Sequence, residues 1–353
     1  MVQFSTSQSV RRVEDSRFTT GKGTYTDDMN VEGQTYGYML RSPVAHATIA
    51  SIDCTKARSI DGIIGIVTAT DLEAEGVNSI PCLVPMENRD GSQAPMPKRP
   101  VLCSDRVRHV GDNLAFIIAE NLSVAKDAAE LIEVNYDSLD AIADTAGALE
   151  SSAPTIHPDA PNNLAFDWGY GEESSTNQAF DEAVHIVSLE LINNKLIVNS
   201  MEPRGAIAEF DSATGKATLH SCTQGGWLLK DQIANHTLKT EPDNVRVITP
   251  DVGGGFGMKS FYYPEQALAV WSSKKFGRPV KWIGERGDSF ISDIMGRDHV
   301  TKVDLAFNSN YEILGMRVDT IANMGAYLSN AGPFIPTLAA IKVMPGVYDI
   351  KTL

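Results

Sequence analysis

The sequence predicts a protein of the α+β class, with two structural units joined by a linker. Residues 33–145 alternate short strand-like runs with a single helix-like run. Residues 143–168 are rich in Ala, Pro, Ser and Asn, a composition typical of a linker between domains. Beyond them the strand-like runs become longer, and two helix-like runs are interleaved with them. A chain of 353 residues is long enough for two or three domains.

The first unit is expected to contain several short strands and one helix. Its β-branched and apolar runs lie at residues 34–41, 48–53, 62–68, 114–119 and 133–136. The helix follows the fourth run, and Ser123 is its predicted N-cap residue. Residues 78–105 have no hydrophobic period, which predicts a long loop. Such a loop is either functional, for example in partner binding, or a disordered excursion.

The second unit combines longer strands with two helices. Its strand-like runs lie at residues 184–192, 205–211, 216–222, 244–248, 300–307 and 312–321, and its helix-like runs at 226–239 and 264–276. The second helix has Pro264 in its first turn and Gly277 at its C-terminal end. Residues 349–353 carry no helix cap or polar tail, and we expect them to lie within a strand.

Composition excludes several classes of function. The net charge of −15, from 30 basic and 45 acidic residues, argues against binding to nucleic acid or an anionic membrane. No apolar run approaches the length of a membrane span. The cysteines lie too far apart for a zinc or iron–sulfur ligand set, and their scatter suggests reduced thiols in the cytoplasm; they are Cys54, Cys82, Cys103 and Cys222. The histidines are equally dispersed, so we expect no metal held directly by protein ligands.

A glycine-rich loop at residues 249–260 is the most informative segment. It connects a strand-like run to a helix-like run, and four of its residues lack a Cβ: residues 253–255 and Gly257. Such a backbone can approach a phosphate or a cofactor edge closely and direct several N–H groups at it. The loop is not a P-loop, because Met258 separates Gly257 from Lys259. Met258 also occupies the place of the third glycine of a dinucleotide fingerprint.

Together with other motifs in the same order, this loop resembles the molybdenum hydroxylases, the xanthine dehydrogenase and aldehyde oxidase family. The other motifs are Met201-Glu202-Pro203-Arg204, Thr223-Gln224-Gly225-Gly226, Gly277-Arg278-Pro279-Val280-Lys281-Trp282 and, nearer the start, Gly23-Thr24-Tyr25-Thr26-Asp27-Asp28, Leu40-Arg41-Ser42-Pro43 and residues 107–112. The likeness begins near Val10 and is greatest to the large, molybdopterin-binding subunit of bacterial members such as aerobic carbon monoxide dehydrogenases.

The resemblance implies a division of the chain. Residues 1–20 would form an N-terminal extension and residues 21–145 an α/β hammerhead domain. Residues 146–168 would be the linker. Residues 169–353 would form the first, mixed α/β molybdopterin-binding domain, incomplete at its C-terminus.

The resemblance also implies roles for single residues. Gln224 would approach the apical oxo ligand of molybdenum, where its NH₂ group donates a hydrogen bond without adding charge; the alternative is an ordinary helix-terminus glutamine. Gly225 would let the backbone pass close to the cofactor. Gly255, Phe256 and Gly257 would contact the pterin and the metal's oxygen ligand through their N–H groups. Phe256 would wall the substrate funnel, anchor the core beneath the loop, or do both.

Other side chains near these motifs are candidates for the substrate pocket. Glu202 and Arg204 are predicted to form a buried ion pair that borders it. Lys259 either pairs with a phosphate or is a solvated loop lysine. Ser260 stands where purine-oxidising members have a carboxylate that orients the purine, which argues against xanthine as the substrate.

One catalytic element of the family has no counterpart in the sequence. The family's general base is a glutamate in a Gly-Glu motif near the C-terminus, and it activates a metal-bound oxygen. No glutamate here matches that motif, so we expect no catalytic residue on this chain. We therefore expect the 353 residues to be about the N-terminal half of a large subunit, inactive in isolation.

The implied function is hydroxylation of a small carbonyl, heteroaromatic or carbon monoxide substrate with oxygen from water. The expected cofactor is molybdenum–molybdopterin, in its cytosine dinucleotide form. Expected partners are a FAD-binding medium subunit, a 2Fe–2S small subunit, and a C-terminal half or second large-subunit chain. The alternatives are a non-catalytic scaffold or cofactor-binding module and, less favoured, a nucleotide-binding protein that uses the glycine loop for phosphate.

Overall fold

The computed structural model describes residues 11–353, and its largest element is a mixed seven-stranded sheet. The strands of this sheet are β1 Thr35–Arg41, β3 Ile63–Thr68, β5 Asn113–Ala119, β8 Gly205–Asp211, β9 Lys216–Ser221, β10 Val245–Ile248 and β11 Val280–Ile283. Their spatial order is β10-β9-β8-β11-β1-β5-β3. Residues 1–10 lie outside the described residues, and they include Val10 and half of the predicted N-terminal extension.

Two further sheets of three strands complete the β structure of residues 11–353. One consists of β4 Arg106–Val107, β2 Ala47–Asp53 and β6 Glu133–Ser138, in that order. The other consists of β13 Ile313–Ala322, β12 His299–Phe307 and β7 His185–Asn193. In the second sheet β7 is paired only with β12, so its outer edge is unpaired within the described part of the chain.

The large sheet joins the two predicted units. β1 runs parallel to β11, with Thr35 opposite Val280 and Tyr36 opposite Lys281. The N–H of Thr35 donates to the Pro279 carbonyl over 2.8 Å. Strands from both sides of the predicted linker therefore lie in one continuous sheet, which fixes the glycine loop relative to the first unit.

Within residues 11–353 the α helices have different packing partners, and those on the large sheet cover both of its faces. The α helices are α1 Asp15–Phe18, α2 Thr55–Arg58, α3 Ala69–Ala74, α4 Leu122–Glu130, α5 Glu173–Asp181, α6 Gly226–Asp231, α7 Pro264–Phe276 and α8 Arg286–Ser292. Helix α7 packs on β8, β9 and β11, whereas α4 packs on β1 and β5. Alternate residues of β5 enter the two cores: Phe116 and Ile118 face the side that holds Leu268 of α7, while Ala115 and Ile117 face α4.

Most predicted elements are present, and the differences have local causes. Helix α7 has the predicted bounds, and Gly277 ends it in the left-handed region with φ +64°. The N-cap of α4 is Asn121 and not Ser123, because the Asn121 Oδ1 accepts the Val124 N–H over 2.9 Å. The predicted helix at 226–239 is α6 followed by a π helix, Gln232–Leu238.

Two other expectations about local structure need correction. Residues 349–353 form no strand, although the Met316 N–H donates to the Thr352 carbonyl over 3.0 Å. One backbone hydrogen bond of this kind is too few for a strand. The long loop at 78–105 has defined structure, with isolated antiparallel bridges between Ile80 and Arg99 and between Glu87 and Gln93. The alternative prediction, that residues 78–105 form a disordered excursion, is therefore wrong.

Candidate cofactor-binding site

The glycine loop leaves the end of β10 at Ile248 and leads to the first residue of α7, Pro264. Three of its residues have positive φ: Gly254 at +99°, Phe256 at +49° and Gly257 at +84°. Backbone that alternates between right- and left-handed regions turns successive N–H groups toward one side and creates a concave anion site. Phe256 is the unusual member, since a bulky side chain rarely adopts positive φ outside functional sites.

The hydrogen bonds of the loop leave three consecutive donors free. The N–H groups of Gly253 and Gly257 are both used, by side-chain oxygens of Glu202 and Gln224 respectively. Within residues 11–353, the N–H groups of residues 254–256 donate to no protein acceptor. Unpaired donors of this kind usually find an acceptor outside the backbone, in a ligand or in water. The loop therefore offers a set of N–H groups to an oxygen-rich ligand.

Gln224 lies against this set of donors, and its amide has a defined orientation. Its Oε1 accepts the Gly257 N–H over 2.9 Å, and its own N–H donates to the Lys259 carbonyl over 3.0 Å. Because Oε1 is used as an acceptor, the NH₂ group remains as a donor, and on this exposed residue it donates to no residue in the described part of the chain. The orientation supplies a neutral donor beside the loop.

Gly255 is required for this arrangement. A Cβ at Gly255 would lie 2.4 to 2.6 Å from the side-chain atoms of Gln224, far inside van der Waals contact. Gly225 has no such restriction, since a Cβ there would be 4.0 Å from Leu228 and near nothing else. The need for glycine at position 225 is thus not explained by the packing of the protein itself.

Glu202 and Lys259 form an ion pair beneath the loop, with Nζ and Oε2 2.8 Å apart. Lys259 is only 2% exposed, so its prediction as a solvated loop lysine is wrong. The predicted ion pair between Glu202 and Arg204 is also wrong. Glu202 faces the glycine loop. Arg204 instead lies in the core, where it forms ion pairs with carboxylates of other elements.

The partners of Arg204 are residues that the sequence did not bring to attention. Its Nη1 lies 2.8 Å from Glu265 Oε2, and its Nε lies 2.6 Å from Asp293 Oδ1. Its guanidinium also stacks over the Tyr263 ring at 3.8 Å from the centroid. A second arginine, Arg41 of β1, reaches the other Glu265 oxygen over 2.6 Å. The buried carboxylate of Glu265 therefore joins β1 to the second unit behind the glycine loop.

These arginines determine the ionisation of Glu265. Burial alone raises the pKa of a carboxyl group, but the attraction of Arg204 and Arg41 and their hydrogen bonds outweigh it. The result is a pKa lowered to about 2. For Arg204 burial has the opposite effect and lowers the pKa. The attraction of Glu265 and Asp293 outweighs burial, so the pKa of Arg204 is raised. Glu265 and Arg204 are thus both charged at neutral pH.

The outer side of the loop is apolar and open. Phe256 is 76% exposed, which excludes it as an anchor of the core beneath the loop. Met201 and Trp227 are exposed to a similar extent on neighbouring segments. Ser260 is also exposed, directly after the buried Lys259. The free N–H groups and the Gln224 amide therefore border an apolar surface that a ligand can reach.

A cofactor rich in oxygen atoms fits this chemistry, since the loop offers N–H donors to it. Residues 11–353 contain no group of three or more His, Cys, Asp or Glu side chains that could hold a metal ion. Within the same residues no helix has the length and apolar character needed to cross a membrane.

Known families match both units of the chain. Residues 20–140 match the aldehyde oxidase and xanthine dehydrogenase a/b hammerhead domain, and residues 156–353 match the molybdopterin cofactor-binding domain. The carbon monoxide dehydrogenase large chain of Afipia carboxidovorans is 31% identical over 96% of this chain and 42% of its own length. The nicotine 6-hydroxylase large subunit of Paenarthrobacter nicotinovorans is 30% identical over 97% of this chain and 41% of its own.

Solved structures give the same result. Quinoline 2-oxidoreductase from Pseudomonas putida 86 superimposes with a TM-score of 0.85 and 29% identity, over 97% of this chain and 42% of that chain. Carbon monoxide dehydrogenase from Oligotropha carboxidovorans gives a TM-score of 0.79 and 30% identity, over 88% of this chain and 39% of that chain. The chain spans less than half the length of these relatives. The predicted fold, a hammerhead domain followed by a molybdopterin-binding domain, is confirmed, and the chain belongs to the molybdenum hydroxylase family of aldehyde oxidases and xanthine dehydrogenases.

Proposed function

We propose that this chain supplies one wall of the molybdenum-cofactor site of an oxidoreductase that hydroxylates a small substrate with oxygen from water. The observation that carries the proposal is the combination of free N–H groups at residues 254–256 with the oriented amide of Gln224. When bound, the molybdenum–molybdopterin cofactor supplies the two-electron oxidation chemistry. The residues of this chain bind and orient it.

Each predicted cofactor contact has a distinct part in the proposal. The N–H groups of Gly255 and Phe256 donate to oxygen atoms of the cofactor. Gly257 contributes indirectly, because its own N–H is used to orient Gln224. The NH₂ of Gln224 donates to an oxo ligand. Gly225 gives the cofactor room, which agrees with the distance of 4.0 Å from a Cβ at this position to the Leu228 Cβ, the nearest atom of the described residues beyond its chain neighbours.

The substrate pocket is proposed to lie along the exposed side of the loop. Phe256 walls it, and Ser260 lines it without a charge, which favours carbonyl, heteroaromatic or carbon monoxide substrates over purines. Glu202 lies beneath the loop and Arg204 lies in the core, and both act as structural support. The similarity to a carbon monoxide dehydrogenase large chain and a nicotine 6-hydroxylase large subunit supports this range of substrates.

The general base is proposed to lie outside this sequence. Glu202 is a carboxylate in contact with the glycine loop, and it is paired with Lys259 and accepts the Gly253 N–H. Both of its oxygens are thus engaged by donors of this chain. We therefore propose a functional complex with a chain that carries the base, a FAD-binding medium subunit and a 2Fe–2S small subunit, in the cytoplasm. The cofactor is proposed to be the cytosine dinucleotide form.

The substitution Gln224→Glu tests this proposal. The new carboxylate keeps an acceptor for the Gly257 N–H but replaces the NH₂ donor with an oxygen that repels an oxo ligand. We expect the complex, coexpressed from the neighbouring genes, to lose at least tenfold in dye reduction with its aldehyde, heteroaromatic or carbon monoxide substrate. Gln93→Glu, which adds the same charge at an exposed site away from the loop, is the matched control.

The scaffold alternative makes the opposite prediction. A non-catalytic module would give no substrate-dependent dye reduction in either the wild-type complex or the two variants. Equal rates for wild type and Gln224→Glu in an active complex would remove Gln224 from the proposed site.

A further inference from the structure

The carboxylate of Glu202 collects donors from three separate parts of the chain. Its Oε2 accepts the Gly253 N–H over 2.7 Å and pairs with Lys259 over 2.8 Å, at the two ends of the glycine loop. Its Oε1 accepts the Thr26 N–H over 3.2 Å, from the first unit. With 12% of its side chain exposed, Glu202 is largely shielded from water, so these contacts are charge-assisted in a medium of low polarity.

The backbone of Glu202 is tied to the loop as well. Its N–H donates to the Gly253 carbonyl over 3.0 Å, so residues 202 and 253 exchange hydrogen bonds in both directions. A Cβ on Gly253 would lie 2.5 Å from the Glu202 Cβ, and glycine alone permits this approach. The Gly253 end of the loop therefore has one position relative to Glu202.

A second carboxylate ties the same loop to the same N-terminal segment. Asp251 Oδ2 accepts the Thr24 N–H over 2.9 Å, and the Asp251 N–H donates to the Thr24 carbonyl over 3.1 Å. Arg17 pairs with Asp251 from the end of α1. Arg17 and Thr24 are thus fastened to the glycine loop at Asp251.

We infer that Glu202 is a positioning residue, which holds residues 253–259 in the conformation that frees the N–H groups of residues 254–256 and orients Gln224. This inference rests on the proposed function. Lys259 is the link, because its side chain is held by Glu202 while its carbonyl accepts the Gln224 N–H. With its charge neutralised by Glu202, Lys259 does not serve as a phosphate partner, and the loop binds its ligand through backbone N–H groups and the Gln224 amide.

The double variant Glu202→Met/Lys259→Met separates positioning from general stability. It removes both charges together, so that no unpaired buried charge remains, and it roughly conserves side-chain volume. The matched control is Glu75→Met/Lys275→Met, which removes the same pair of residue types at an exposed ion pair away from the loop.

Amide hydrogen exchange is the first readout, at positions that do not touch Glu202. The N–H groups of Gln224 and Gly257 donate to Lys259 and Gln224. We expect both to exchange at least tenfold faster in the double variant, while the amides of α7 exchange as in the wild type. Equal exchange at Gln224 and Gly257 would overturn the inference. So would a rise that includes α7, because it would reveal a loss of overall stability.

Cofactor retention is the second readout. In the coexpressed complex we expect at least a tenfold lower molybdenum and pterin content for the double variant than for wild type and control. Faster exchange with unchanged cofactor content would also overturn the inference. A wild-type complex without cofactor would refute the proposed function, while the exchange measurement would still decide whether Glu202 holds the loop. If the double variant does not fold, Glu202→Gln, which keeps the side-chain shape, is measured in the same way.

Discussion

The contact between Gly255 and Gln224 shows why glycine is needed at particular positions of the loop. Gly255 makes room for a side chain, whereas Gly254 and Gly257 adopt backbone angles that other residues avoid. The sequence predicted a loop whose backbone lacks Cβ atoms and faces a ligand. The local glycine content was sufficient for that prediction. The side chains that fill the space come from positions 202 and 224, and only the family resemblance pointed to them.

The substitution Gly255→Ala tests the proposed role of the contact between Gly255 and Gln224. Its new Cβ would displace Gln224, because the two would lie 2.4 Å apart, and the amide would lose its hydrogen bond to Gly257. We expect at least tenfold lower molybdenum content in the coexpressed complex, measured by mass spectrometry. We expect Gly225→Ala to retain the fold, because the protein has room for a Cβ at this position. Full cofactor content in Gly255→Ala would contradict the proposed role of the contact.

The ion pairs show where the sequence was insufficient at this scale. Glu202 and Arg204 are two positions apart, and their opposite charges suggested a pair. The actual partners of Arg204 lie 61 and 89 residues away, at Glu265 and Asp293. No spacing rule connects residues so far apart, because the fold alone brings them together.

At the scale of elements, prediction succeeded where the determining signals are local. Helix α7 has its proline in the first turn and its glycine stop within the element, and both bounds were correct. The N-cap of α4 was misplaced because Asn121 and Ser123 are both competent caps. The π helix after α6 has no sequence signal that we recognise. Element type was therefore easier to predict than element boundaries.

Strand β7 is an edge strand that carries exposed apolar side chains. Val187, Leu189 and Leu191 lie on one face of this edge strand and are each about half exposed. An exposed apolar edge strand favours association with other chains. We expect the isolated chain to self-associate with increasing concentration, as measured by sedimentation velocity.

Two substitutions in β7 identify the surface responsible. Leu189→Lys places a charge on the apolar face and is expected to weaken self-association. Ser188→Lys places the same charge on the opposite face of the strand and is expected to have a smaller effect. A wild-type chain that remains monomeric at high concentration would contradict the prediction.

At the scale of the whole molecule, the main surprise is the continuity of the large sheet. The sequence predicted two units and a linker, and those boundaries remain predictions. The pairing of β1 with β11 could not be foreseen, since Thr35 and Pro279 are 244 residues apart. The buried network around Glu265 reinforces the same junction, because it joins Arg41 of β1 to Arg204 beside β8.

This junction gives the whole molecule a defined sensitivity to acid. The pKa of Glu265 falls from 4.5 to about 2 on folding. Its contribution to stability is therefore complete above pH 4.5 and is lost as the pH falls toward 2. Arg204→Met removes one partner and raises this folded-state pKa, so the contribution should be smaller and its loss should be complete at a higher pH.

Urea unfolding at a series of pH values measures this effect. At neutral pH we expect Arg204→Met to lower the free energy of unfolding by roughly 3–5 kcal/mol, because it leaves buried carboxylates uncompensated. Lys56→Met, at the exposed ion pair with Glu133, should leave the unfolding curve unchanged. An equally small effect of both substitutions would show that the network does not stabilise the junction.

Cofactor content is the most direct test of the central claim, that this chain forms part of a molybdenum-cofactor site. Molybdenum and pterin would be measured by mass spectrometry on the purified chain, alone and coexpressed with its genomic neighbours. We predict near-stoichiometric molybdenum and pterin in the coexpressed complex. Their absence from both preparations would contradict the claim and would favour a scaffold in which the glycine loop and Gln224 serve only the fold.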